Sequence, residues 1–238
     1  MISAELARRV RALGRELPGA LAAFDADGTL WREDVGEAFL RHLVSLGWVK
    51  LPEGSDPYQA YQRAVDRDRQ SGYAYAAQLQ AGLGAEEVAA EAQRFASQWV
   101  PPRLIADTQD LRTLCAEAGL RPFVISASAL PIVLAAAPLA GFARELCRGI
   151  EVEVQDGRFT ADLVPPVTYA QGKVTAAAQL GRLALACGDS LTGDLAMLEA
   201  AQLAVVVAPS TGSPLASEAQ RRGWTVLPQE SRGRKPEA

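Results

Sequence analysis

Asp25 and Asp27 stand one residue apart in "AAFDADGTL" (22–30), directly after an apolar run and directly before Gly28-Thr29. Carboxylates that close repel each other unless they face apart or a cation compensates them. An Asp-x-Asp-Gly stretch can be no more than a turn, so the other reactive residues decide its meaning. Asp189 and Asp194 lie in "GDSLTGD" (188–194), Ser126 lies in "VISAS" (124–128), and Lys173 follows "PVTYAQG". Lys173 is one of three lysines against 21 arginines, which makes a generic surface cation a poor explanation for it. His42 is the only histidine, which weighs against multi-histidine zinc sites and against Ser-His-Asp or Cys-His catalysis. Cys115, Cys147 and Cys187 show no metal-ligand or disulfide spacing and read as small buried apolar residues. Any chemistry here must run on carboxylates, hydroxyls and a lysine.

The surrounding pattern predicts how these residues are positioned. Leu6, Val10, Leu13 and Leu17 form the stripe of a leading helix over 3–17, and "ALAAF" (20–24) is a first core strand. Helical spacing returns from Val35 to near Gly47, followed by a turn around 52–55. Asp56-Pro57 opens a helix that should stop near Ser71-Gly72, a short helix covers 73–81, and a longer one runs to Trp99 before Pro101-Pro102. Beyond it, a helix over 108–118 leads to a strand over 122–125. The stretch 151–163 reads as a hairpin around Asp156-Gly157. Strands over 183–187, 203–207 and 224–227 alternate with helices over 172–180, 194–201 and 214–222. The fold class is therefore α/β, a Rossmann-like parallel sheet core covered by helices. The helical block between the first two strands is too long for a crossover and reads as an inserted all-helical cap domain. The expected organisation is a core of 1–30 and 104–230, a cap of 31–103 and a flexible tail of 231–238.

Parallel sheets gather their ligand sites at the carboxyl ends of the strands. One face would then hold Asp25, Asp27, Asp189 and Asp194, with the Ser126 hydroxyl and the Lys173 ammonium. Taken alone, Ser126 reads first as a cap for a helix over 129–137. Four carboxylates in a small volume need a cation, and oxygen-only ligation suits Mg2+, which works with one or two carboxylates, waters and phosphate oxygens. The serine and lysine are what the far side of a phosphoryl group requires.

In order along the chain, "DADGTL" (25–30), "VISAS" (124–128), Lys173 and "GDSLTGD" (188–194) resemble the four motifs of the haloacid dehalogenase superfamily. The likeness is greatest to its phosphoserine phosphatase-like members, which carry a helical cap after the first motif. The resemblance implies Asp25 as the nucleophile that becomes an aspartyl phosphate and Asp27 as general acid and base, its backbone carbonyl facing the metal. It implies that Gly28, Thr29, Ser126, Ala127 and Lys173 hold the phosphate, and that Asp189 binds the metal with Asp194 supporting it. Ser126 and Lys173 count with the two aspartates as catalytic. Dehalogenases of the superfamily lack the second aspartate of the first motif, so Asp27 implies phosphoryl chemistry. A phosphotransferase using the same intermediate is the alternative.

The cap must tell one monoester from another. Asp34 falls where the resemblance puts a substrate-binding glutamate, and Trp31, Tyr73 and Tyr75 offer aromatic faces for an ammonium. The stretch 70–82 has no arginine for the carboxylate of phosphoserine, unless Arg32, Arg67 or Arg69 folds in. Small amino-bearing monoesters such as phosphoethanolamine or phosphocholine are therefore expected slightly ahead of phosphoserine, whose phosphatase is the alternative reading. A net charge of −4 with scattered basic residues argues against nucleic acid. No run reaches the ~18 apolar residues of a membrane span. The expectation is a cytoplasmic monomer or homodimer acting on a small-molecule phosphomonoester.

Overall fold

The computed structural model describes residues 2–51 and 55–229. Part of the turn expected around 52–55, and the whole of the expected tail at 231–238, lie outside the described residues. Helix α1 (Ala4–Glu16) starts at Ser3, whose hydroxyl accepts the Leu6 amide at 3.2 Å, and buries Leu6, Val10 and Leu13. The sheet contains β1 (Leu21–Phe24), β2 (Arg121–Ala129), β3 (Cys147–Gln155), β4 (Arg158–Val164), β5 (Leu183–Gly188), β6 (Leu203–Ala208) and β7 (Thr225–Pro228). Their order is β4-β3-β2-β1-β5-β6-β7, with every pair parallel except β3 and β4. It is a mixed α/β sheet with β1 at its centre.

Strand alternation divides the core in two. Leu21 and Ala23 face α8 (Gln171–Ala178), α9 (Leu195–Ala200) and α10 (Pro214–Arg222). Ala22 and Phe24 face α1, α6 (Ala106–Glu117) and α7 (Leu130–Ala136). Between β1 and β2 the chain inserts α2 (Val35–Ser45), α3 (Pro57–Arg67), α4 (Arg69–Gln78) and α5 (Ala85–Trp99), which form a cap. Their buried faces, including Phe39, Leu43, Val88 and Ala92, join the same apolar cluster as Phe24.

Two helix boundaries differ from the sequence reading. The helix opened by Asp56-Pro57 ends at Arg67, not near Ser71-Gly72, because Asp68 leaves helical geometry (φ −156°, ψ 116°) and caps α4 by accepting the Ser71 amide at 2.9 Å. The short helix accordingly begins at Arg69 and not at 73. Strand β2 runs four residues past Ile125, and its pairing with β3 shifts register between Ile125 and Ala129.

Two sets of contacts attach the cap to the sheet. Its connections to the core run side by side: the Arg32 amide donates to the Arg103 carbonyl at 2.9 Å and the Ile105 amide to the Leu30 carbonyl at 3.0 Å. On another side, the turn after α4 pairs with the β3–β4 hairpin. Gly82 and Ala85 amides donate to the carbonyls of Phe159 and Gly157, each at 2.8 Å, and the Phe159 amide to Leu83 at 3.0 Å. No helix among the described residues is long and apolar enough to cross a membrane.

Candidate active site

Asp25 directly follows the central strand, 6% exposed, its amide donating to the Cys187 carbonyl of β5 at 2.9 Å. Gly28 has a φ of +79°, and a Cβ there would lie 2.2 Å from Asp189 Oδ2, so both backbone and space call for glycine. The turn it allows brings Thr29 back to donate its hydroxyl to Asp25 Oδ2 at 3.2 Å. Lys173, in the first turn of α8 and 2% exposed, donates to Asp25 Oδ1 at 2.5 Å and to Asp194 Oδ1 at 2.7 Å. The second oxygen of Asp194 accepts the amides of Asp189 at 3.1 Å and Ser190 at 2.9 Å. One residue thus fixes both the lysine and the loop that carries Asp189.

Asp25, Asp189 and Asp194 each place an oxygen within 4.8 Å of the others. Three carboxylates facing one ammonium leave surplus negative charge in a buried volume, and the residues respond as such a cluster must. Burial and the Asp194 charge push the Asp25 carboxyl up to about 7 despite Lys173. Burial with the charges of Asp25 and Asp194 pushes Asp189 up to about 9. Burial works against the Lys173 charge, but Asp194 and Asp25 outweigh it and raise its pKa. The all-oxygen donor set and its surplus charge fit a hard divalent cation.

Asp27 faces a different set of partners. Its Oδ1 accepts from Trp31 Nε1 at 2.8 Å and the Val35 amide at 2.7 Å, and its Oδ2 from the Ser128 hydroxyl at 2.7 Å. Burial raises its pKa while these donors oppose the rise. Its carboxylate is outside the three-aspartate cluster. Two aspartates one residue apart thus hold separate environments.

Asp25, Asp27, Asp189, Asp194 and Lys173 all line one cavity of about 420 Å3, together with Gly28, Ala127 and Asp34. Ser126 and Thr29 are behind the wall. Ser126 is fully buried, not at a strand tip and not a helix cap: its hydroxyl accepts the Ser128 amide at 3.0 Å. The register shift over 126–128 turns Ala127 and Ser128 to the cavity instead, as a bulge does. Asp34 caps α2, its Oδ1 accepting the Glu37 amide at 2.7 Å, and burial with the Asp27 charge pushes its pKa well up.

The rest of the wall was incompletely foreseen. Trp31 is fully buried beneath Asp27 and presents no face to a ligand. Tyr73 lines the cavity and meets Tyr169 with ring centroids 5.5 Å apart, whereas Tyr75, two residues on, lies outside it. Tyr61, Tyr169, Gln80, Ser128 and Gln229 join the lining without having been singled out. Gln229, just past β7, donates to the Gly28 carbonyl at 2.9 Å and so braces the turn from the far end of the chain. Ser128 gave no signal either, since strand alternation would put it on the side of Ser126, which stays behind the wall. Arg32, Arg67 and Arg69 do not reach the wall. Among the described residues Lys173 is the single cation in the lining, against seven acids. Arg69 donates to Thr192 at 3.2 Å, outside the cavity.

Residues 22–199 match the haloacid dehalogenase-like hydrolase family. No curated protein matches the chain. Among solved structures, a protein of unknown function from Bordetella pertussis Tohama I is similar at 22% identity and a TM-score of 0.75, over 90% of this chain and all of that one. A HAD family hydrolase from Salmonella enterica subsp. enterica serovar Typhi is similar at 18% identity and a TM-score of 0.60, covering 95% of this chain and 77% of its own. A phosphoserine phosphatase in apo form is similar at 14% identity and a TM-score of 0.57, covering 89% and 94%. At these identities the likeness is one of fold.

Proposed function

The chain belongs to the haloacid dehalogenase-like hydrolases, and from that membership we propose that it is a Mg2+-dependent phosphatase of small phosphate monoesters acting through an aspartyl phosphate. One observation carries the reading: Asp25 shares Lys173 with Asp194, while Asp27 lines the same cavity on an independent set of donors. An Asp25 oxygen attacks phosphorus, and the bond from phosphorus to the leaving oxygen breaks as Asp27 gives that oxygen its proton. Asp27, now ionised, takes a proton from water, which attacks phosphorus, releases inorganic phosphate and restores the Asp25 carboxylate. Lys173 neutralises the nucleophile and a phosphate oxygen, and the cavity-lining residues at 127–128 flank the transferred group. Asp25, Asp189 and the Asp27 carbonyl would hold Mg2+, with Asp194 behind them. The ion supplies charge neutralisation for the phosphate oxygens. Residues 31–103 act in this reading as the cap domain that sets the leaving group and keeps bulk water out.

The leaving group is small and cationic. Among the described residues seven acids and one lysine line the cavity, so a substrate carboxylate would be buried against like charge with no arginine of that lining to pair it. Asp34 and the rings of Tyr61 and Tyr73 suit an ammonium. Phosphoethanolamine or phosphocholine therefore ranks above phosphoserine. The test is hydrolysis of an aryl phosphate and of these three esters by wild type and Asp25→Asn, with and without Mg2+. Activity that is Mg2+-dependent and absent in Asp25→Asn supports the proposal. Equal rates in every arm, or a hundredfold lead for phosphoserine, would falsify the reaction or the ranking respectively.

A further inference from the structure

Gln80 follows α4, is 3% exposed and lines the cavity. Its Oε1 is buried and has no hydrogen-bond partner among the described residues. A buried carbonyl oxygen without a donor is unfavourable, and such groups in native structures call for an explanation. Gln80 lines the cavity and its terminal amide torsion has broad minima, so a donor held in the cavity is what this oxygen could turn to meet. The acids on the same wall say what sort of donor belongs there. Glu37 is already engaged by Arg41 at 3.0 Å and by the Tyr58 hydroxyl. Asp34 gives one oxygen to its helix amide and has no cationic partner among the described residues.

We propose that Gln80 is a specificity residue that accepts a hydrogen bond from the N–H of a primary ammonium on the leaving group, the charge of which faces Asp34. The inference rests on the phosphomonoesterase reading and narrows its substrate class to 2-aminoalkyl phosphates. A trimethylammonium satisfies Asp34 and the tyrosines by charge but has no N–H, and it leaves the Gln80 oxygen unpaired. A hydroxyl satisfies Gln80 but not Asp34. The primary ammonium alone does both.

The experiment compares kcat/KM for 2-aminoethyl phosphate, phosphocholine, 2-hydroxyethyl phosphate and an aryl phosphate in wild type, Gln80→Leu and Gln80→Glu. Wild type should favour 2-aminoethyl phosphate over phosphocholine and over 2-hydroxyethyl phosphate by about ten- to hundredfold, the range set by leaving a buried polar group unpaired. Gln80→Leu should bring the aminoethyl-to-choline ratio close to one, and Gln80→Glu should keep or enlarge it. Because each ratio is taken within one protein, a general loss of activity does not mimic the result. Should Gln80→Leu fail to fold, the wild-type ratios and Gln80→Glu still decide. Aryl phosphate turnover with phosphocholine or the hydroxyl ester equal to 2-aminoethyl phosphate, or a ratio untouched in Gln80→Leu, overturns the role of Gln80 alone. No Mg2+-dependent turnover of any ester takes down both readings.

Discussion

At the residue scale, the site is a charge problem solved by geometry. With no cation bound, Asp25 at about 7 and Asp189 at about 9 sit above the ordinary 3.8, so the fold binds more protons than the unfolded chain over that interval. The stability this gives is complete below about pH 4 and is lost as pH rises through 7 and then 9. The melting temperature of metal-free protein should fall across this range, and Mg2+ should flatten the fall by favouring the ionised carboxylates. Superimposable curves with and without Mg2+ would remove the cation from the cluster. Asp27 makes a second prediction. Asp27→Asn should cut kcat/KM for an alkyl monoester by ~10²–10⁴, the usual worth of a general acid. An aryl phosphate with an acidic leaving group should lose much less, and equal losses would deny Asp27 the acid role. Asp25, Asp27 and Asp189 were legible in the sequence because they lie just past strand ends, which a parallel sheet brings together, whereas Lys173, in the first turn of α8, stood out by the scarcity of lysine and Asp194 by its place in the same short stretch as Asp189. Tyr61 and Gln80 were not legible, because helix periodicity says that a face is buried and not which cavity it meets, and Tyr169 was not because it lies in the irregular stretch between β4 and α8, which has no period to read.

At the element scale, single side chains set where the cap helices stop. Asp68 stands between two arginines and ends α3 while capping α4. The signal for it was present, an aspartate with a serine three residues on. The polar run 66–71 nevertheless reads as one continuous helix face until Val65 is seen packed under Gly72. A Cβ on that glycine would lie 2.5 Å from the Val65 backbone, so the two helices cross there at backbone contact. Asp68→Ala should cost ~1 kcal/mol by loss of the cap, read as a lower urea midpoint with unchanged slope. Gly72→Ala should cost more, because backbone cannot move aside as a side chain can. The reverse order would mean that the crossing is looser than the contact implies. The bulge in β2 was illegible for a related reason: nothing in "VISAS" marks a register shift that only the pairing with β3 creates.

At the scale of the whole molecule, the cap is tied to the core at its two connections and again along the β3–β4 hairpin, while opposite contacts such as Arg69 with Thr192 and Tyr73 with Tyr169 are side chains alone. Backbone pairs resist opening more than an exposed side-chain contact does. Hydrogen exchange should therefore find the amides of Gly82, Ala85 and Phe159 slow, and indifferent to Mg2+ with a phosphate mimic. Those of Ser190 and Gly193, beside Thr192, should slow when the mimic binds. Faster exchange at Gly82 than at Gly193 in the free protein would reverse this picture. The hairpin pairing also has a directional consequence. With the cap held at its connections, along the hairpin and by the packing of α2 and α5 on α7, opening is expected first at the side-chain-only Tyr73–Tyr169 edge, which would make that edge the door for ester in and alcohol out.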